Sequence, residues 1–558
     1  MKLLRLCVFA VAAIHISGAQ EAAQGPNPEA TLHYIHGAWD TLTRSMTDCH
    51  SLVDIKVTNN PILYLPAGMT VPPAVKELTA KCHVRVVALP RHIEKLGDLD
   101  PKELPDPGLL YLPDPYVVPG GRFNEMYGWD SFFILLGLEA DHREALAKNM
   151  VDNFLFEIEN YGGVLNANRT YYLTRSQPPF LTSMIRDVYE NPASFPQTPA
   201  GRTETRKWLE HAYTLAEKDY STWTRPEHLA GTTGLARYFD YGHGPVPEMA
   251  DDSNYYSDVI RWILAHPDPR GKAFLLKGSE HPDPAETQRL NQSSCDVNAS
   301  VVCMRAWAGG YRLTRDYYLA DRAMRESGFD PSNRFGPFSG ETHHFAPVCL
   351  NSLLYRYERD MEHIAHVLGK AQDAQKWDRR AQKRNAAIHR YLWRPREGVF
   401  ADWDFQHSRA NEYAYISSLY PLWAGVATRE EARQVVAKLN LFERAGGLSM
   451  SNTNTGLQWD EPFGWAPTNW VAVAGLEATG FHQDAARIAA KFDQTVDRGF
   501  AQEGTIREKY NVVSANADVQ VATGYKQNQI GFGWTNSVYL KMKGIMDKSP
   551  AMAASTGR

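Results

Sequence analysis

Arg122, Glu125, Trp129 and Asp130 fall within nine residues of one another in the stretch 119–133, PGGRFNEMYGWDSFF. Guanidinium and carboxylate groups hydrogen-bond hydroxyls, and an indole face stacks on a pyranose ring. A turn that delivers all three to the mouth of a helix therefore suits sugar recognition. Gly120 and Gly121 are expected to supply positive φ and a close backbone approach for that turn. The same residue types also make a buried ion pair among core aromatics, and the cluster alone leaves both readings open.

Two more loops add arginines. Asn168-Arg169-Thr170-Tyr171-Tyr172 leads into Arg175-Ser176-Gln177-Pro178-Pro179. The double proline fixes the direction of Arg175 and Gln177, and ligand contact is preferred there to a glycan on the Asn168 sequon. Arg225-Pro226-Glu227 offers another arginine and carboxylate in a proline-fixed loop. Each alone reads as a surface ion pair of little energetic worth. Three such loops in one chain read as a recognition site.

Acids capable of proton transfer lie further on. The stretch 326–335, ESGFDPSNRF, places Glu326, Asp330 and Arg334 in a turn bracketed by Phe329 and Phe335. An acid desolvated by those rings has a raised pKa, which suits a proton donor at neutral pH. The stretch 458–467, QWDEPFGWAP, again joins tryptophan and carboxylate in a Pro/Gly loop. Arg507-Glu508-Lys509-Tyr510 sets a carboxylate between two cations that hold it ionised, as a base requires. An exposed helical charge cluster is the other reading of those four residues.

The elements that must position these groups are helical. Leu146, Met150, Phe154, Leu155 and Ile158 share one face over 142–160, which Gly162-Gly163 ends. Further helices are expected at 181–190, 204–219, 250–266, 309–325, 346–368, 371–393, 410–424, 428–439, 467–479, 482–498 and 532–545. Strands do not alternate with helices, and no Gly-rich nucleotide loop follows a strand. Two concentric rings of helices in one all-α domain would bury that many amphipathic faces, although periodicity does not separate a toroid from a solenoid. Before them, residues 32–118 are interrupted by prolines, with short apolar runs at 62–65 and 84–89. Pro61, Pro66, Pro72, Pro73 and Pro90 argue against long helices there, and the segment is expected to wrap the larger body.

Composition excludes other classes. A net charge of −5 without a basic tract argues against nucleic acid as the main partner. The 14 Trp and 27 Tyr lean toward a stacking ligand. Met1-Lys2 and Arg5 precede an apolar run at 6–16, and Ser17-Gly18-Ala19 forms a small-residue cleavage site. Residues 1–19 thus read as a signal peptide, with a flexible linker at 20–31, a flexible tail at 547–558, and a periplasmic or secreted protein as the expectation. No later run is long and apolar enough to span a membrane. Past the leader, Cys49–Cys82 and Cys295–Cys303 are conceivable disulfides, and an odd number of cysteines leaves one free. No cysteine or histidine cluster has metal-ligand spacing, and His343-His344 reads as structural or surface. Asn291 and Asn298 head formal glycosylation sequons.

The stretches 119–133 and 458–467 resemble the signatures of family 37 glycoside hydrolases, the α,α-trehalases. NANRTYYLTRSQPPF at 166–180, RPE at 225–227, ESGFD at 326–330, REKY at 507–510 and GFGWTN at 531–536 support the likeness in the family's order. The resemblance implies an (α/α)6 barrel over 119–546, with the irregular segment 32–118 packed on it and the site at one mouth. It implies inverting hydrolysis of α,α-trehalose to two glucose molecules, with no metal or organic cofactor, and substrate and water as partners. A monomer is expected. Carried over by position, Asp330 is the general acid and Glu508 the general base, with carboxyls about 6.5–9.5 Å apart to admit a water. Arg122, Trp129, Asp130, Asn168, Arg175, Ser176, Gln177, Arg225, Pro226, Glu227 and Gly328 match sugar-contact positions. The alternatives are an inverting glucosidase of the same fold acting on another α-glucoside and a non-catalytic sugar-binding protein. Departures are Gly524-Tyr525-Lys526 where the family has Gly-Glu-Tyr, in a loop at 515–530 expected to close over substrate. Asn511 stands for Asp, Phe329 for Trp, and Pro331 follows the acid.

Overall fold

A computed structural model describes residues 27–53, 61–250, 254–298, 300–522 and 527–548. The expected signal peptide, most of the linker and tail, Gly524-Tyr525-Lys526 and the middle of the Asn298 sequon lie outside the described residues.

The helix Gly128–Ala140 buries every residue from Gly128 to Leu138, and Ala466–Ala478 buries Ala466 through Val473. A helix apolar on all sides must be walled in on all sides. The packing supplies those walls. Gly128–Ala140 lies against Leu181–Glu190, then in turn come Val348–Val367, Tyr420–Ala424, Ala466–Ala478 and Gly533–Lys548, which returns to Gly128–Ala140. That return closes a ring of six inner helices and distinguishes a toroid from a solenoid. Amphipathic helices cover its outside: Glu144–Tyr161, Pro199–Thr222, Ala371–Tyr391 and His482–Glu503. The chain is an all-α (α/α)6 barrel whose connections carry short strands of two to four residues.

Helix Pro28–Leu42 packs outside as well, against Gly533–Lys548 and His482–Glu503. Asn27 Oδ1 accepts from the N–H groups of Glu29 and Ala30, and proline fills the first position, where its missing N–H costs nothing. A helix therefore stands where the sequence suggested linker and irregular chain. Pro73 likewise opens a helix, Pro73–Cys82. It joins the parallel strands Ile62–Leu65 and Arg85–Ala88, with Leu109–Leu110 on the other edge. This strand–helix–strand crossing lies in the proline-interrupted segment before the helical region. The helix expected at 309–325 splits into strand Tyr311–Leu313 and helix Arg315–Glu326, because Thr314 caps the helix at Tyr317 N. Cys49–Cys82 and Cys295–Cys303 are bonded, and Cys349 is free and buried.

Candidate active site

A cavity of about 750 Å³ is lined by segments that lead directly into Gly128–Ala140, Leu181–Glu190, Ala466–Ala478 and Gly533–Lys548. It therefore sits at the N-terminal ends of these inner helices. Arg122, Trp129, Asp130, Arg175, Gln177, Gly328, Asp330 and Glu508 all line it.

Asp330 follows the end of helix Arg315–Glu326 through Gly328. Gly328 has φ +75°, and a Cβ there would lie 2.9 Å from the Trp129 ring, so glycine lets the acid's loop reach the cavity floor. Asp330 Oδ2 stands 3.2 Å from Arg325 Nη1, and 19% of its side chain remains open. Burial pushes Asp330 up to about 7, opposed by the Arg325 and Arg175 cations. Phe329, beside it in the chain, packs edge-on against two of the cavity's tryptophans, its ring centre 5.5 Å from Trp129 and 5.2 Å from Trp459. The arginine in the turn is not the acid's partner, since Arg334 binds Asp402. Glu326, the turn's other carboxylate, is fully buried and accepts from Phe239 N at 2.7 Å and Ser176 N at 3.3 Å. It ties loops together behind the cavity, leaving Asp330 as the acid that faces it.

Glu508 is delivered by strand pairing. Lys509–Asn511 runs antiparallel to Phe463–Trp465, with Trp465 opposite Lys509, so the two short acidic motifs meet edge to edge. The exposed helical charge cluster is thereby excluded for Lys509 and Tyr510, both fully buried in this strand. Lys509 Nζ lies 3.1 Å from Glu508 Oε2. Arg507, expected as the second cation, turns away to Glu503 and to the Asn528 carbonyl. Glu508 N donates to Gln529 O at 3.0 Å, and Trp534 Nε1 donates to Glu508 O at 3.1 Å.

The cavity that both acids line has an aromatic wall of Trp129, Trp459, Trp465 and Trp534; Trp459 and Trp465 stack at 3.8 Å. Gln177 Oε1 accepts from Trp129 N at 2.8 Å and fixes that end of the wall. Burial raises Asp130 well above the usual carboxylate range, and Glu508 and Asp330 add to the effect. Asp130, Asp330 and Glu508 thus share one enclosure with the Arg122, Arg175 and Arg325 guanidiniums, a setting for proton transfer to and from a polyhydroxyl ligand.

Five expected contacts are not brought to the cavity. Asn168 is fully buried, and its amide bridges Leu110 O and Met126 N at 2.9 and 2.8 Å. It clamps the strand Leu109–Leu110 to the loop before Trp129 and is absent from the cavity lining. Ser176 Oγ donates to Val164 O at 2.7 Å. Arg225 donates to Leu96 O and lies over the Tyr241 ring, taking Pro226 and Glu227 with it away from the lining. Gly120 and Gly121 are absent from the positive-φ positions. Gly120 serves close approach instead, with Phe532 carbon 3.1 Å from where a Cβ would be.

Other residues take those places. Pro247 and Glu248 line the cavity, and Glu248 forms an ion pair with buried Arg175. Arg322 holds their bend by donating to the carbonyls of His243, Gly244 and Pro245 and pairing with Asp240. The signal was present as another Pro-Glu pair at 247–248, preceded by Val246 rather than by arginine. Arg325, one residue before the stretch singled out, carried its signal as a cation in the last turn of a helix.

The comparisons with known proteins agree with this geometry. The Trehalase family model matches residues 20–260 and 313–546, and the chain belongs to the trehalase family. It is 34% identical over 517 residues to the cytosolic neutral trehalase of Beauveria bassiana, covering 85% of this chain and 63% of that protein. It is 33% identical to the cytosolic neutral trehalase of Neurospora crassa, covering 86% and 63%. The chain therefore spans less than two thirds of the length of these curated relatives. Its fold matches neutral trehalase Nth1 of Saccharomyces cerevisiae with a TM-score of 0.75 at 28% identity, over 95% of this chain and 96% of that one. These relatives correct one expectation. They are cytosolic by name, which overturns the reading of a signal peptide and a periplasmic or secreted protein. Among the described residues, no helix is long and apolar enough to cross a membrane.

Proposed function

We propose that the chain hydrolyses α,α-trehalose to two glucose molecules with inversion at the attacked carbon. Asp330 protonates the glycosidic oxygen as general acid, and Glu508 activates the water as general base. Arg122, Trp129, Asp130, Arg175, Gln177 and Gly328 form the walls that hold the sugar rings. The observation that carries this reading is the sharing of one tryptophan-walled cavity by two acids in contrasting surroundings. Asp330 is buried and lifted to about 7, so it holds its proton into the neutral range. Glu508 is ion-paired to Lys509. Environments that separate two carboxyls in this way are how acid and base roles are divided. We further propose that residues from 119 to 546 act as the catalytic barrel with 32–118 packed against it, and that the chain works as a monomer.

The test is purified protein with trehalose, following glucose anomers by NMR. Inversion delivers water to the opposite face of one ring and leaves the other anomeric centre untouched, so α- and β-glucose form initially in equal amounts. Asp330→Asn and Glu508→Gln are each expected to slow turnover by about 10²–10⁴-fold. Unaltered rates in both variants would remove the role assignment, and faster hydrolysis of maltose or kojibiose would move the substrate to another α-glucoside.

A further inference from the structure

Away from the cavity, three elements meet around two histidines. Thr342–His344 forms a single 3-10 turn, Asp316 lies in the first turn of helix Arg315–Glu326, and strand Trp403–Asp404 pairs with Phe345–Ala346. One ligand atom from each of Asp316, His343 and His344 lies within 4.8 Å of the others. His343 Nε2 is 3.0 Å from Asp316 Oδ1. That contact is a hydrogen bond, and its two atoms need part only to about 3.3 Å to take two positions on a tetrahedral ion at bonds of about 2.0–2.1 Å.

The ring nitrogens add an observation for His344; in His343 the nitrogen turned to Asp316 is Nε2, so its bare Nδ1 is the ordinary lone pair of a neutral imidazole. His343 is 3% exposed, and the buried Nδ1 atoms of both His343 and His344 have no hydrogen-bond partner. Buried polar atoms are almost always satisfied, and a neutral imidazole always presents one bare lone pair. Their ring centres are 4.0 Å apart, too close for both to carry charge comfortably. The backbone beneath them is fixed: His344 N donates to Glu341 O at 2.8 Å, Phe405 N to His344 O at 3.1 Å, and Arg237 Nη1 to His343 O at 2.7 Å. The nearby carboxylate of Asp404 is already held by His407 and Arg409 at 2.8 and 3.2 Å.

We propose that Asp316, His343 and His344 form a binding site for a borderline divalent transition metal of the zinc class. Two imidazoles and one carboxylate select such an ion over calcium or magnesium, which take oxygen ligands, and three protein ligands leave a fourth position for water. Sequence spacing hid the site because Asp316 comes from a different element, 27 residues before His343. The ion would pin the start of the helix that ends at the loop of Asp330, giving the barrel a metal-dependent brace outside its cavity. The site does not rest on the proposed reaction.

The test is calorimetric titration of chelator-treated full-length protein with Zn²⁺, with Asp316→Asn and His344→Ala alongside. Asp316 is 58% exposed, so its variant keeps the fold. Wild type is expected to bind one Zn²⁺ and to melt at higher temperature with it. Both variants are expected to bind at least about tenfold more weakly and to lose the thermal shift, with turnover of trehalose little changed. No Zn²⁺ binding by wild type, equal binding by both variants, or tighter binding of Ca²⁺ than of Zn²⁺ would each overturn the site.

Discussion

Arg325 Nη1 stands 3.2 Å from Asp330 Oδ2, while Arg325 Nε is braced by Asp321 Oδ2 at 3.3 Å. The acid is thus held between two opposing effects. Burial favours its neutral form and the guanidinium favours its carboxylate, and the balance lies at about 7. A general acid is competent only while protonated, so kcat/KM is expected to fall as pH rises through about 7. Arg325→Met removes a charge that lowers the pKa. The alkaline limb should then move up by about one pH unit. A pH–rate profile of the two proteins checks this, and a limb that stays in place or moves down would separate Asp330 from it.

Glu248 lies against Arg175, itself 3% exposed, in the position where sequence reading had placed the Arg225-Pro226-Glu227 loop. Removing one member of a buried pair leaves the other charge unpaired, at about 3–5 kcal/mol. Asp240 remains 3.6 Å from Arg175 and softens that loss. Glu248→Gln is therefore expected to destabilise the protein by about 3 kcal/mol and to raise KM, because Arg175 no longer points reproducibly into the cavity. Glu227→Gln, outside the lining, should do neither. Urea unfolding and Michaelis kinetics on the pair distinguish the two loops.

The contrast shows what was legible in the sequence. Trp129 and Asp130 sit in the long stretch 119–133, whereas Asp330 and Glu508 sit in the short stretches 326–330 and 507–510, which gain weight from their order along the chain; all four face the cavity. The helices Leu181–Glu190 and Val348–Val367 were placed to within a residue or two by apolar periodicity. Arg225 was misplaced because three residues carry too little information to tell one Arg/Pro/Glu loop from another. Ring closure depends on contact between Gly128–Ala140 and Gly533–Lys548, elements about 400 residues apart that no local pattern joins. Pro73 misled because a proline's effect depends on whether it opens a helix or interrupts one.

Asn168 gives a sharper separation of structural from ligand roles. Its amide makes two hydrogen bonds to backbone, to Leu110 O and from Met126 N, with no exposed surface. Asn168→Ala leaves both groups unsatisfied in the interior, which costs about 1–3 kcal/mol for each. The melting temperature should fall markedly, while KM of the protein that remains folded changes little. A raised KM with unaltered melting would instead place Asn168 in contact with sugar.

Asp330 also taxes the fold that it serves. Its pKa of about 7 lies above the value of about 3.9 for an unfolded Asp, so between these pH values the folded state binds more protons than the unfolded one. Stability attributable to this group therefore declines as pH rises from about 4 to about 7 and stays diminished above that range. Asp330→Asn removes the ionisation while keeping the shape. The variant is expected to melt at higher temperature than wild type, with a gain that is small at pH 5 and larger at pH 8. Differential scanning calorimetry at the two pH values reads the difference directly. A variant less stable than wild type at pH 8 would mean that the Arg325 contact outweighs the cost of burying the charge.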